Sequence, residues 1–170
     1  GFPTRTIDDT DRGYDNMSAN AQLRADVGRA EVALRHWRAE GTSEYSDFFL
    51  TPVDQDFETS TSALNVAWPV GDAARAQVTA TRLEDRIQQN QSPDYLRTER
   101  NSVDAQVDWP ASPSHQFSVG ALFAREDASS ESYGDRMRAE TDSVNLFVQD
   151  HIETGAHRGL LALGYADHET

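Results

Sequence analysis

From Met17 to Val27 the chain alternates with a period of two. Met17, Ala19, Ala21, Leu23, Ala25 and Val27 share one face, while Ser18, Asn20, Gln22, Arg24 and Asp26 share the other. Successive side chains of a strand point to opposite sides, so this run predicts a strand with one apolar and one wet face. Its length fits the roughly 9–11 residues of a tilted membrane strand. Gly28-Arg29 then predicts a tight turn into a second strand, Ala30 to about Glu40, with Val32 and Leu34 on its apolar face. Trp37 breaks that parity, which suggests a bulge or an aromatic turned to a rim.

The same period returns six more times. Leu64, Val66 and Trp68 mark a third strand, and Ala76, Val78 and Ala80 a fourth. Val103 to Trp109 and Phe117 to Phe123 mark the fifth and sixth; Val144, Leu146 and Val148 mark the seventh, and Arg158 to about Ala166 the eighth. No helical period of any length competes with them. Polar stretches at residues 41–57, about 86–100 and about 126–140 read as long loops, alternating with short turns such as Pro69–Ala73 and Glu153–Ala156. Val66-Ala67-Trp68-Pro69 and Val107-Asp108-Trp109-Pro110 both end at the short-turn side, where an interfacial aromatic girdle would lie.

The expected fold is therefore all-β: an antiparallel up-and-down meander of about eight strands, part of a large transmembrane β-barrel, with residues 1–170 forming one partial barrel domain. Its place would be the bacterial outer membrane, with lipid against the apolar face, short turns on the periplasmic side and acidic loops outside. A soluble β-sandwich or small lipocalin-like barrel, binding carbohydrate or another ligand, also has alternating strands. Against it, the wet face carries Asp26, Arg75, Asp104 and Asp108, which suit a water-filled lumen better than a small dry core.

Composition narrows the choice. The 170 residues carry a formal charge of −14, and every basic residue is arginine. An acidic chain has no footprint for a phosphate backbone, so nucleic acid is excluded as a partner. Cysteine is absent, which removes disulfides, thiolate metal sites and cysteine nucleophiles. No apolar run approaches the roughly 18–20 residues of a transmembrane helix. His36, His115, His151, His157 and His168 are too scattered for a zinc site, and no serine has a histidine and an aspartate at suggestive positions. An enzyme is not expected. Both ends look cut rather than finished.

Three segments carry a family likeness. These are Asp8-Asp9-Thr10-Asp11-Arg12-Gly13-Tyr14-Asp15-Asn16 before the first strand, Glu44-Tyr45-Ser46-Asp47-Phe48-Phe49 with Pro52 and Asp54-Gln55-Asp56-Phe57, and Leu163-Gly164-Tyr165-Ala166-Asp167-His168-Glu169. In order and spacing they resemble the barrel of TonB-dependent outer-membrane receptors, closest to the vitamin B12 (cobalamin) branch. The resemblance implies the early-to-middle strands of a 22-stranded barrel, without the plug, the segment that contacts the TonB complex, or the C-terminal strands. It implies active import of a scarce chelate, cobalamin first, with a siderophore receptor of the same architecture as the alternative.

The acidic stretch Glu40–Glu58 and the pair Asp9 and Asp11 enter from the same side, and calcium takes six to eight oxygen ligands. Two adjacent acidic loops would supply such a cage. The resemblance implies calcium held by Asp9 and Asp11, by Tyr45 and Asp47, and by Asp54 or Asp56 as the closing aspartate. Solvated loop charge is the plainer reading of the same acids.

Overall fold

The computed structural model describes residues 13–169 apart from Phe48 and Leu50. Eight strands run in sequence order: β1 Tyr14–Val27, β2 Ala30–Ser46, β3 Pro52–Val70, β4 Ala74–Gln89, β5 Tyr95–Ser112, β6 His115–Ser132, β7 Asp135–Thr154 and β8 His157–Glu169. They form one sheet in the order β1 to β8, every neighbour antiparallel. This is the expected all-β meander. β1 and β8 are not paired with each other, so each leaves a ladder of backbone groups open along one edge.

The strands are longer than the apolar alternation suggests. The polar stretch at 41–57 is mostly strand, because β2 continues to Ser46 and β3 begins at Pro52. The stretch at 126–140 is a hairpin whose turn is only Tyr133-Gly134. Long and short loops therefore do not alternate among the described residues. What alternates is the chemistry of the hairpin ends: acidic, arginine-rich arms at one end, tryptophans at the other.

Register explains why. Residues directly opposite in a ladder point to the same side of the sheet. On one side, Leu23, Leu34 and Leu64 stand in line; farther round, Val107, Val119, Val148 and Leu163 do the same. These apolar side chains are exposed rather than packed: Val119 is 53% and Leu163 74% accessible. Along β7 the apolar run Val144, Leu146, Val148 is bracketed on the same side by Asp142 and Asp150. The eight steps between those aspartates measure roughly 26 Å along the strand, close to the apolar band of about 25 Å in outer-membrane barrels.

Beyond that band the same side of the sheet becomes ionic. Arg38 pairs with Glu58 at 3.2 Å, Arg82 with Glu99 at 2.8 Å and Arg125 with Glu140 at 2.7 Å, each across neighbouring strands. Each exposed pair contributes at most about 1 kcal/mol. Their larger effect is that the arms stay strand-paired outside the membrane while showing water a charged surface.

Trp68 and Trp109 lie on the apolar side at the turn end, with the Trp109 and Phe117 rings 6.3 Å apart. The one irregularity in the β5–β6 ladder falls beside them, between Pro110 and Ser112. Trp37 needs no bulge. The β1–β2 and β2–β3 registers run unbroken past it, opposite Asn20 and Thr61, and turn it to the polar side.

Candidate functional site

Of the buried residues, Ala76 lies on the apolar side, while Ala39, Ala67, Ser118, Ala124 and Ser143 lie on the polar side. Its polar groups hold one another across strands. Arg75 reaches Glu31 at 2.6 Å, Asn65 donates to Thr79 at 2.8 Å, and Asp108 accepts from Gln106 at 2.8 Å and from Ser118 at 2.6 Å. Asp26, Arg75, Asp104 and Asp108 all face this side, as the alternation implies. Charged and amide groups therefore line one side at the height where the other side is apolar. A wall with that section separates hydrocarbon from water.

Within this side, Arg24, Asp26, Glu31, Arg35, Asn65 and Thr79 line a depression of about 650 Å³. Farther round, Phe147 lies over Gly120, its direct partner across β6 and β7. A glycine there lets the ring lie flat on the backbone and fills space that two side chains would contest.

The residues expected to hold calcium are placed differently from one another. Asp9 and Asp11 lie outside the described residues. Tyr45 pairs with Val53 and donates its hydroxyl to Gln89 at 2.8 Å on the polar side. Asp54 and Asp56 pair with Glu44 and Thr42 and point to the other side. Asp47 closes the chain between β2 and β3, accepting from the backbone N–H groups of Phe49 and Thr51 at 2.8 Å each. Asp54 accepts from Asn90 at 2.6 Å and from Gln91; Asp56 accepts from Thr42 at 2.7 Å and from Asn90 at 3.2 Å. Amides thus bridge the two carboxylates and tie the β2–β3 hairpin to the next. Among the described residues no three acidic or histidine side chains gather as a metal would require.

These amides have a consequence for acid. The hydrogen bond from Asn90, then that from Gln91, hold the Asp54 carboxyl below its ordinary value of 3.8. A depressed carboxylate stabilises the fold above its unfolded value and loses that contribution as pH falls through the folded value. The contact between the two hairpin ends is therefore expected to loosen only below about pH 4. Side-chain amide resonances of Asn90 and Gln91 should move together there, and Asp54→Asn should abolish the movement at Gln91, whose amide meets Asp54 and not Asp56. Resonances that stay fixed down to about pH 2 would contradict the assignment.

The ladder also makes a pairing that spacing along the chain conceals. His36 Nδ1 lies 2.9 Å from Ser62 Oγ, directly across β2 and β3 and just beyond the apolar band. The signal for it is register alone, since the two residues are 26 apart. Nothing among the described residues holds Nε2 of His36.

No protein-family model and no curated protein matches the chain. Solved structures do. A loop-L8 deletion mutant of OmpT, an outer membrane protein of Vibrio cholerae, superposes with TM-score 0.64 at 16% identity, over 91% of this chain and 49% of its own. OmpT of Vibrio cholerae folded in vitro, in its trimer form, gives 0.60 at 15% identity over 90% and 46%. The chain thus spans about half the length of these structures. Its fold is that of a bacterial outer-membrane β-barrel.

These findings correct the family likeness. Solved structures of matching fold include OmpT barrels of Vibrio cholerae, and no family model, of a TonB-dependent receptor or otherwise, matches the chain. Import of cobalamin, or of a siderophore, through a TonB-coupled receptor falls with that likeness. The soluble sandwich is not favoured either, because the sheet exposes its apolar face. The three segments misled for a physical reason. Acid-rich arms and a tyrosine on the apolar side of a strand suit any long outer-membrane hairpin, so they report the architecture rather than one branch of it.

Proposed function

We propose that the chain is one arc of the wall of a water-filled outer-membrane channel for small hydrophilic solutes, and that it catalyses no reaction. The observation that carries this reading is the two-sided section: exposed Val107, Val119 and Leu146 on one side, with Gln106, Asn145 and Gln149 at the same height on the other. Two open edges support a barrel completed by further strands, since an unpaired ladder facing hydrocarbon costs several kcal/mol per group. His36 and Ser62 do not argue for hydrolysis. Among the described residues the imidazole has no group to orient it, and a serine nucleophile needs an oriented base.

Planar-bilayer recordings of the complete barrel test the reading. Stepwise, salt-dependent conductance is expected, and substitution of Asp104 by Arg should shift the reversal potential toward anion preference under a salt gradient. A barrel that inserts but passes no current would refute the channel, and an unshifted potential would remove Asp104 from the pore wall.

A further inference from the structure

Arginines on the polar side follow a rule with two exceptions. Arg75 pairs with Glu31 at 2.6 Å, Arg100 with Glu126 at 3.9 Å and Arg158 with Glu153 at 3.3 Å. Arg24 and Arg35 pair with no carboxylate, and they are neighbours. Arg24 stands opposite Ala33 and Arg35 opposite Gln22, so the two occupy diagonal positions across β1 and β2. Diagonal partners lie about 7–8 Å apart, within reach of long side chains.

Two guanidinium groups side by side without an acid repel each other. The carboxylates in the same depression do not resolve this. Glu31 is held by Arg75, and Asp26, two residues beyond Arg24, forms no ion pair with it. Arg24 finds only a neutral acceptor: with its amide oxygen turned inward, Gln22 accepts from Nε at 2.6 Å and from Nη2 at 3.0 Å. The Arg35 guanidinium makes no hydrogen bond among the described residues. Its fork is free beside the depression, whose floor is the Asn65–Thr79 pair.

We propose that Arg24 and Arg35 form a binding site for a small oxyanion, a carboxylate or phosphate group carried by a solute, on the lumen side of the wall. A planar fork binds such a group through two parallel hydrogen bonds. Asn65 keeps amide donors and Thr79 a hydroxyl for the remainder of the solute. With Arg75 counted beside its partner Glu31, three arginines meet two carboxylates here, so in a chain of charge −14 this depression has room for a ligand that brings negative charge. The site rests on the channel reading in one respect, that this side faces water.

Trp37 provides the readout, because it lies two residues from Arg35 on the same side and is 39% accessible. In the full-length protein folded in detergent, with Trp68 and Trp109 replaced by Phe, inorganic phosphate is titrated at constant ionic strength against chloride. A saturable change in Trp37 emission is expected with phosphate or with succinate, and whichever binds more tightly identifies the group. Arg35→Gln should weaken binding about tenfold or more, Arg35→Lys less, and Arg100→Gln, away from the depression, not at all. A phosphate response equal to that of chloride, or wild-type affinity in folded Arg35→Gln, would overturn the site. Because binding is read without current, loss of binding with conductance intact condemns the site alone. Loss of conductance with binding intact condemns only the channel.

Discussion

Val119→Arg is expected to destabilise the folded protein in lipid vesicles by about 2–4 kcal/mol, the cost of an arginine on the lipid side near the bilayer midplane. Val119 stands between Val107 and Val148, is 53% accessible and lies within the apolar band. Its neighbour across the sheet thickness is the control. Gln106 pairs with Gln77 and Gly120 on the polar side, and Gln106→Arg should cost under about 1 kcal/mol there, since the guanidinium stays in water. Urea titrations of both variants in vesicles separate the two faces. In a soluble sheet a half-exposed valine tolerates arginine within about 0.5 kcal/mol. Equal midpoints for the two variants would therefore remove the lipid-facing assignment.

This contrast was already legible in the alternation. The parity of Leu64-Val66-Trp68 or Val103-Ala105-Val107 assigns each residue to its side correctly, because a strand in hydrocarbon must alternate to face lipid and water at once. Legibility ends where the hydrocarbon ends. Past Leu34 the outward positions of β2 become His36, Arg38 and Glu40, so the outward side is no longer apolar and the period disappears, although pairing continues to Ser46. A stretch that reads as loop is strand whose outer side has left the membrane. Trp37 shows the converse error, since a large aromatic out of phase reads as a bulge when it merely faces the polar side. Arg24 with Arg35, and His36 with Ser62, depend on which strand residue meets which. A slip of one residue would send every partner to the other face, so register cannot be read from composition. The family likeness failed at the same level: its middle segment, Glu44 to Phe57, lies at the β2–β3 hairpin end, where acidity follows from exposure to water.

Gly41→Ala should be the most damaging small change in the arms, costing roughly 2–3 kcal/mol through overpacking. Gly41 lies in β2 between Asn16 and Phe57, and the rings of Tyr14 and Phe57 stack above it with centroids 5.8 Å apart and planes within 10°. A Cβ at this position would collide with the backbone carbonyl of Asp15 and come within 2.9 Å of the Phe57 ring. The ring can swing away, but the carbonyl belongs to the β1–β2 ladder and moves only if that ladder opens. Strand β1 would then lose its outer end, because its other edge is unpaired. Gly159→Ala is the matched control, since the nearest atom to its added carbon is Cβ of Ile152 at 3.9 Å, ordinary contact. Urea midpoints of the two variants in detergent should differ by most of the stated cost. The near-ultraviolet signal of the Tyr14–Phe57 stack should fall in Gly41→Ala alone. Equal midpoints with an unchanged aromatic signal would mean that β1 is held from its far side, by a strand that pairs with its open edge and compensates for the loss.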